Sequence, residues 1–240
     1  MAPTDNYQDL ALRYGLQSPP ESVMRLTRLV AQQDAPLDEI ARVIEMDKTL
    51  ALRLLRAAYP RLPDDELADT TVEEALMRTG LGCALLLAMG APLGVALVKT
   101  FSTMLGLKLE SKNVKTIPPL TGEHVACTIG FSGKAEGQVF LRMDLDSAAR
   151  IAGNVLGLPP QDMSPIEVND AMGELLNIIT GNFKSNLCDA GLDCRLAPPR
   201  VNRTKDFKVE TVLGGGLERM AFQAPQIVLF VDLTVNPWQG

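Results

Sequence analysis

The period of the hydrophobic pattern changes along this chain, and that change limits what the chain can fold into. Between residues 18 and 90 the apolar side chains recur at helical spacing, as in "PLDEIARVIEMD" and "TLALRLLRAAY". From about residue 122 the period becomes two: "HVACTIGF" and "GQVFLRMDL" place alternate apolar side chains on one face, with "SGKAEG" as a hairpin turn between them. We therefore expect an all-helical domain at 1–90 and a second domain at 91–240.

The second domain mixes helices with strands. A helix is predicted at "DSAARIAGNVLG" and a longer one around "GELLNIITGNFKSNL", followed by strands around "CRLAPPRV", "VETVLGGGLERMAFQ" and "QIVLFVDLTV". The expected fold class is α+β, with an antiparallel sheet that carries helices on one face.

One segment has the composition of a membrane span. Residues 80–98, "GLGCALLLAMGAPLGVALV", carry no charge and are nearly long enough to cross a bilayer. Gly90 and Pro92 lie in its middle, and a proline cannot donate the helical hydrogen bond there. We expect two short helices that meet at "GAP", and no membrane association.

Composition excludes several function classes. The chain has 23 basic and 29 acidic residues, a net charge of -6 and few aromatic residues, so we expect no nucleic-acid partner. The single histidine, His124, cannot supply a zinc site, a two-metal hydrolase or a nucleophile–histidine triad, and we expect it to be structural. The four cysteines form no CxxC pair and no signal peptide is evident, which favours buried thiols in a cytoplasmic protein.

The long helix has an unusual polar face. On a helical projection its apolar residues fall within half of the circumference, and the opposite side carries Asp170, Gly173, Glu174, Asn177 and Gly181. Each glycine costs a helix about 1 kcal/mol relative to alanine. We expect them to leave a low, flat surface for a macromolecule, with Glu174 and Asn177 projecting one turn apart; the alternative is a surface helix with incidental glycines.

This helix resembles the signature helix of the CheC/CheX phosphatases of bacterial chemotaxis. The signature consists of an acidic residue or serine, three other residues, glutamate, two other residues and asparagine, with a proline farther along. In this chain the matching residues are Asp170, Glu174 and Asn177, with Pro198 and Pro199 downstream. The similarity extends over about residues 92–236, including "VKTFSTMLGLKLE" and "TIGFSGKAEGQVFLRMDLDSAARIAGNVLG". Because "DSAARIAGNVLG" lacks a second ExxN, the chain resembles the single-site CheX type.

The resemblance implies a chemistry and a set of roles. The substrate would be the phosphoaspartate of a CheY-like response-regulator receiver domain, in chemotaxis or another two-component pathway. Asn177 would orient the attacking water and Glu174 would pair with the receiver's lysine, with Asp170, Gly173 and Gly181 on the docking face. The receiver would supply Mg²⁺, so no metal or other cofactor is expected in this chain.

The N-terminal helices are similar to the HDOD domain, a relative of HD hydrolases without the metal ligands. The resemblance lies in "SPPESVMRLTRLV", "DAPLDEIARVIEMDKTLALRLLRAA" and "TVEEALMRTGL". It covers only about residues 18–90, which suggests a truncated domain with a regulatory role; a helical layer packed on the second domain is the other interpretation. A non-catalytic adaptor that binds a receiver or another signalling protein is the alternative function. The resemblance also implies a homodimer, for which "QIVLFVDLTV" or the central hairpin offers an apolar strand near the contact.

Overall fold

The structure, a computed structural model, describes most of the chain from residue 25 onward. The described residues are 25–26, 28–29, 35–59, 61–88, 90–134, 136–189, 192–210 and 216–236. The first part of the predicted all-helical domain, at residues 18–34, therefore lies largely outside the described residues.

The first part of the described chain is helical, as predicted. Its helices are α1 (Leu37–Glu45), α2 (Lys48–Ala58), α3 (Asp64–Leu67), α4 (Val72–Ala88) and α5 (Gly90–Leu105). The N-terminus of α2 is capped by Asp47, whose carboxylate accepts hydrogen bonds from the backbone amides of Thr49 and Leu50 at 3.0 Å. Thr71 and Glu74 form a reciprocal capping box at the start of α4.

The apolar segment at 80–98 is divided between two helices. Helix α4 ends at Ala88 and α5 begins at Gly90, which confirms the predicted interruption. A second break lies inside α4 at Gly80, whose φ of 77° is readily adopted only by glycine. Of the helices that the structure describes, none combines the length and hydrophobicity that a bilayer crossing requires.

Within the described residues, seven strands form one antiparallel sheet. They are β1 (Glu110–Lys112), β2 (His124–Gly133), β3 (Gly137–Asp144), β4 (Cys194–Leu196), β5 (Arg200–Thr204), β6 (Gly216–Ala224) and β7 (Ile227–Val235). The order is β1-β6-β7-β3-β2-β4, and β5 also pairs with β2. The predicted hairpin joins β2 to β3, with Cys127 opposite Leu141.

In the part of the chain that the structure describes, two further helices cover the sheet beside α5. They are α6 (Leu145–Leu156) and α7 (Pro165–Asp189), and two short 3-10 helices lie at Val114–Thr116 and Pro160–Asp162. The alternating side chains of β2 face these helices, and Phe131 meets Phe183 of α7 edge to face at 6.2 Å. The α+β prediction, with helices on one face of an antiparallel sheet, is confirmed.

The N-terminal helices share a core with the sheet. Buried residues from α1, α2 and α4 belong to the same hydrophobic cluster as those from β2, β3 and β7. Helix α2 packs against β6, and Arg53 of α2 forms an ion pair with Glu218 of β6. This packing supports the interpretation of a helical layer on the second domain, while the boundary at residue 90 stays a prediction.

The strand chosen for a dimer contact is not at an edge. Strand β7, which contains most of "QIVLFVDLTV", pairs with β3 on one side and β6 on the other, and the β2–β3 hairpin is interior as well. The premise of an edge-capable strand was therefore wrong. Its unbroken apolar run instead reflects burial on both faces, with Leu229, Phe230 and Val231 all buried. The homodimer itself stays a prediction.

Candidate functional site

Helix α7 carries the candidate site, and its start is fixed by local hydrogen bonds. The Ser164 amide donates to the Glu167 carboxylate at 2.8 Å, and the Glu167 amide donates to the Ser164 hydroxyl at 3.3 Å. This is a capping box, with Pro165 at the first helical position. The side-chain hydrogen bond from Ser164 lowers the pKa of Glu167. The cap therefore fixes where α7 begins and which of its residues face the sheet.

The apolar half of α7 is buried as predicted. Its fully covered residues are Val168, Met172, Leu175, Leu176, Ile179, Phe183 and Leu187. Ile178, which the projection also placed in the apolar half, is only half-buried. Asn182 is exposed, and its amide donates to the Thr100 hydroxyl of α5 at 3.4 Å. That bond helps to fix α7 against α5.

Three of the predicted site residues lie together on the solvent side of α7. Asp170, Glu174 and Asn177 are exposed. Glu174 and Asn177 are three positions apart, so their side chains leave the helix about one turn apart on neighbouring positions of its surface. Among the described residues, neither side chain makes a hydrogen bond or an ion pair. The carboxylate and the amide are thus available to a partner.

Gly181 leaves open space on the same helix. Apart from its chain neighbours and the backbone of its own helix, a Cβ atom at this position would meet no described atom within 4 Å. Gly181 lies one turn beyond Asn177, so the helix surface next to the amide is low, as the sequence predicted.

Gly173 does not lie on this open surface, and the prediction that it does was wrong. It is buried, and a Cβ atom there would lie 3.4 Å from Cγ2 of Val201 and 3.9 Å from Cγ of Pro199. Strand β5 and the loop before it therefore cover this side of the helix. The glycine permits close packing of α7 on that loop. Its burial removes Gly173 from the candidate contact surface.

The same contact places Pro199 beside the predicted site. Pro199 belongs to the loop between β4 and β5, and it packs next to the residue that precedes Glu174. From the sequence, only its position downstream of the helix could be predicted. The loop between the two strands brings it back against α7.

Arg203 is a neighbour of the site that the sequence reasoning missed. This half-buried residue of β5 donates from Nε to the Asn169 side-chain oxygen and from a terminal nitrogen to the Pro165 carbonyl, both at 3.4 Å. The guanidinium therefore ties β5 to the first turn of α7, one residue before Asp170. Its role depends on the pairing of β5 with β2, which no local pattern reveals.

Burial makes Cys83 and Cys127 poor nucleophiles. All four are free thiols; Cys83, Cys127 and Cys194 are buried, as expected, and Cys188 is half-buried. Burial raises the pKa of Cys83 and of Cys127 to about 12, so both remain protonated near neutral pH. Within the part of the chain that the structure describes, no group of three or more His, Cys, Asp or Glu residues could hold a metal ion.

Comparison with known proteins identifies the two parts of the chain. Residues 125–222 match the family model described as chemotaxis phosphatase CheX, and residues 16–111 match the model of the HDOD domain. The first match contains the whole of α7. Among the curated proteins compared, none matches the chain.

Solved structures agree with the family match. The chemotaxis protein CheX from Vibrio vulnificus is 27% identical, with a TM-score of 0.54 over 62% of this chain and 96% of that one. A CheC-like superfamily protein from Shewanella sp. PV-4 is 25% identical, with a TM-score of 0.53 over 60% of this chain and 95% of that one. A CheX protein from Desulfovibrio desulfuricans, 20% identical with a TM-score of 0.53 over 62% of this chain and 99% of that one, shares the fold.

The antiparallel sheet, its helical cover and the sequence match lead to one assignment. Residues 125–222 form a domain of the CheX family, and they follow a segment, residues 16–111, of the HDOD type.

Proposed function

We propose that α7 carries the catalytic face of a phosphatase that hydrolyses the phosphoaspartate of a CheY-like receiver domain. The observation that carries this proposal is the exposed pair Glu174 and Asn177 within the segment that matches the CheX family. Both side chains are free of internal hydrogen bonds among the described residues, and the opposite side of the helix is anchored in the core. A rigid helix with an uncommitted carboxylate and amide suits recognition of another protein's active site.

In this proposal Asn177 orients the attacking water. Its amide holds the water opposite the bond between phosphorus and the aspartyl oxygen. As the water oxygen bonds to phosphorus, that bond breaks and the aspartate carboxylate leaves. Such catalysis depends on positioning and on the charges around the phosphoryl group, so the phosphatase need not supply a general base. Chemistry of this kind agrees with a site that contains neither histidine nor an activated thiol.

Glu174 has a docking role. Its carboxylate pairs with the active-site lysine of the receiver, and this pair fixes the position of Asn177 relative to the phosphoryl group. Asp170 adds negative charge one turn before Glu174, and Gly181 leaves room for the receiver's backbone. The Mg²⁺ that the reaction uses belongs to the receiver, where it neutralises charge on the phosphoryl oxygens. Such a partner implies a cytoplasmic location for this chain.

An adaptor that binds a receiver without hydrolysing its phosphate is the second candidate. The HDOD-type segment favours it, because that segment packs on the sheet and resembles domains with regulatory roles. The two candidates differ in what Asn177 does: a phosphatase uses its amide in the reaction, whereas an adaptor needs only the shape and charge of the α7 surface.

Substitution of Glu174 tests the docking part of the proposal. We expect Glu174→Gln to weaken binding of a receiver by roughly 2 kcal/mol, or about 30-fold in Kd. Docking removes water from the receiver's lysine, and in the variant no carboxylate would be present to pair with the buried ammonium group. Calorimetric titration with the receiver held in its activated form would measure this loss. Added salt should weaken the wild type more than the variant.

The matched control is Glu45→Gln, which removes the same charge from an exposed position on α1. Its affinity for the receiver should equal that of the wild type. Equal losses in the two variants would show that overall charge, not the α7 surface, governs binding, and would contradict the role of Glu174.

A further inference from the structure

The sheet face opposite the helices contains a cavity that the α7 site does not use. On β3, Leu141 and Met143 face the helices, so Arg142 between them points to the opposite side. There the segments 114–120 and 205–208 lie over the sheet and line a half-open cavity of about 530 Å³. This volume lies within the range of about 300–1,000 Å³ that is typical of small-molecule sites.

Two fixed guanidinium groups line the sheet side of this cavity. Arg142 and Arg219 both pair with Asp232, a carboxylate with no solvent exposure. The Arg142 Nη2 atom lies 2.7 Å from Asp232 Oδ2, and the Arg219 Nε atom lies 2.5 Å from Asp232 Oδ1. A single carboxylate therefore holds two cations in place and offsets only one of their charges. The remaining N–H groups are preorganised to bind an anion.

Three lysines strengthen the positive charge at the cavity. Lys115, Lys205 and Lys208 line it from the two covering segments, and all three are exposed. The site contains five basic side chains and two carboxylates, those of Asp206 and Asp232, so its net charge is +3. The whole protein has a net charge of -6, so this positively charged site is opposite in sign to the protein as a whole. A partner with several negative charges would gain most from this arrangement.

His124 adds a buried hydrogen-bonding group. It lines the cavity, is 3% exposed, and its Nδ1 atom lies 3.1 Å from the Gly122 carbonyl oxygen. That contact assigns a proton to Nδ1, which donates to the carbonyl. The Nε2 atom has no hydrogen-bond partner among the described residues. A buried polar atom without a partner is unfavourable, so a ligand group that hydrogen-bonds to Nε2 would relieve that cost.

Aromatic side chains form the apolar part of the wall. Phe207 lies over the sheet and meets Phe140 at 5.7 Å with an interplanar angle of 62°, and Phe230 lies 5.6 Å from the Arg142 guanidinium. Ile117, Pro119 and Leu120 contribute further apolar surface. The cavity thus combines several cations with flat apolar side chains. That combination suits a ligand with a strongly anionic group and a ring.

We propose that this cavity binds a small phosphate ester that carries an aromatic ring, of the nucleotide class. The phosphate contacts the arginines and lysines, the ring packs on the phenylalanines, and a polar group of the ligand pairs with Nε2 of His124. The site lies on the opposite side of the sheet from α7, so it neither requires nor predicts phosphatase activity.

Binding of adenosine 5′-monophosphate to the full chain is the direct test. Calorimetric titrations would compare this nucleotide with inorganic phosphate and with adenosine. We expect the nucleotide to bind at least about tenfold more tightly than either fragment, because only the nucleotide uses both parts of the cavity. Binding of phosphate or adenosine with the affinity of the nucleotide, or no binding by the nucleotide, would overturn the proposal.

Variants locate the binding to this cavity. The double variant Lys205→Ala/Lys208→Ala removes two exposed charges and should weaken nucleotide binding by roughly tenfold, whereas Lys48→Ala on α2 should leave it unchanged. Equal affinity in the double variant and the wild type would overturn the assignment.

His124→Phe separates binding from folding. The substitution removes the unpaired Nε2 atom and the Nδ1 hydrogen bond to Gly122 but keeps a buried ring, so the variant should still fold with similar thermal stability, and its nucleotide affinity should fall. A stable variant with unchanged affinity would remove His124 from the site. If this variant did not fold, the lysine pair would still decide the proposal, because both lysines are exposed.

Discussion

At the scale of single residues, α7 contains two glycines with opposite surroundings. Gly173 packs against Val201 and Pro199, whereas Gly181 faces open space. The helical projection put both on one polar face, because it records angles around the helix axis and nothing about neighbouring strands. The exposure of Glu174 and Asn177 agreed with the projection because no other element covers that part of the helix.

The two glycines allow a matched pair of substitutions. Gly181→Leu should leave the free energy of unfolding equal or higher, because leucine is the better helix former, but it should block docking of a receiver. Gly173→Leu should destabilise the fold by roughly 1–3 kcal/mol, because the larger side chain has no room against Val201. Chemical denaturation and receiver binding would be measured for both. Normal docking by a folded Gly181→Leu protein would contradict the proposed contact surface.

At the scale of elements, the sequence predicted element types better than element positions. The change from helical spacing to alternation identified the helices and the hairpin, since both periods follow from backbone geometry. The position of β7 between β3 and β6 depends on long-range pairing, as does the contact of Arg203 with α7. The continuous apolar run of β7 was the available signal, because such runs are typical of strands buried on both faces.

The cap of α6 tests the local account of how an element begins. Asp144 accepts a hydrogen bond from the Ser147 amide at 2.6 Å at the start of this helix. Asp144→Ala should lower the free energy of unfolding by about 1 kcal/mol, whereas Asp144→Asn should retain most of the stability because asparagine also caps well. Equal losses in the two variants, measured by urea denaturation, would show that the negative charge and not the cap is what matters.

At the scale of the whole molecule, the HDOD-type helices and the sheet belong to one hydrophobic cluster. The ion pair between Arg53 and Glu218 crosses the same contact. The change of hydrophobic period predicted two domains, but it could not reveal that the described helices and the sheet share one hydrophobic core. The packing indicates that they unfold together.

Truncation of a buried side chain in α2 tests this coupling. Leu54 has no solvent exposure, so Leu54→Ala should lower the free energy of unfolding by about 2–5 kcal/mol. Because the core is shared, calorimetry should show one transition for the wild type and one transition at a lower temperature for the variant. Two wild-type transitions, of which only the first moved in the variant, would indicate independent units.

The central claim is that Asn177 performs chemistry on a phosphorylated receiver, and release of phosphate tests it most directly. A CheY-like receiver phosphorylated in the presence of Mg²⁺ would be mixed with wild-type protein or with Asn177→Ala, and inorganic phosphate would be followed over time. We expect the wild type to accelerate release and the variant to lose about 10²-fold or more of that acceleration, because misplacement of a reactant alone can cost this much. Since Asn177 is exposed, the variant's free energy of unfolding should change by less than about 0.5 kcal/mol, and it should still bind the receiver. No acceleration by the wild type with any of several receivers, or equal rates in the two proteins, would contradict the account.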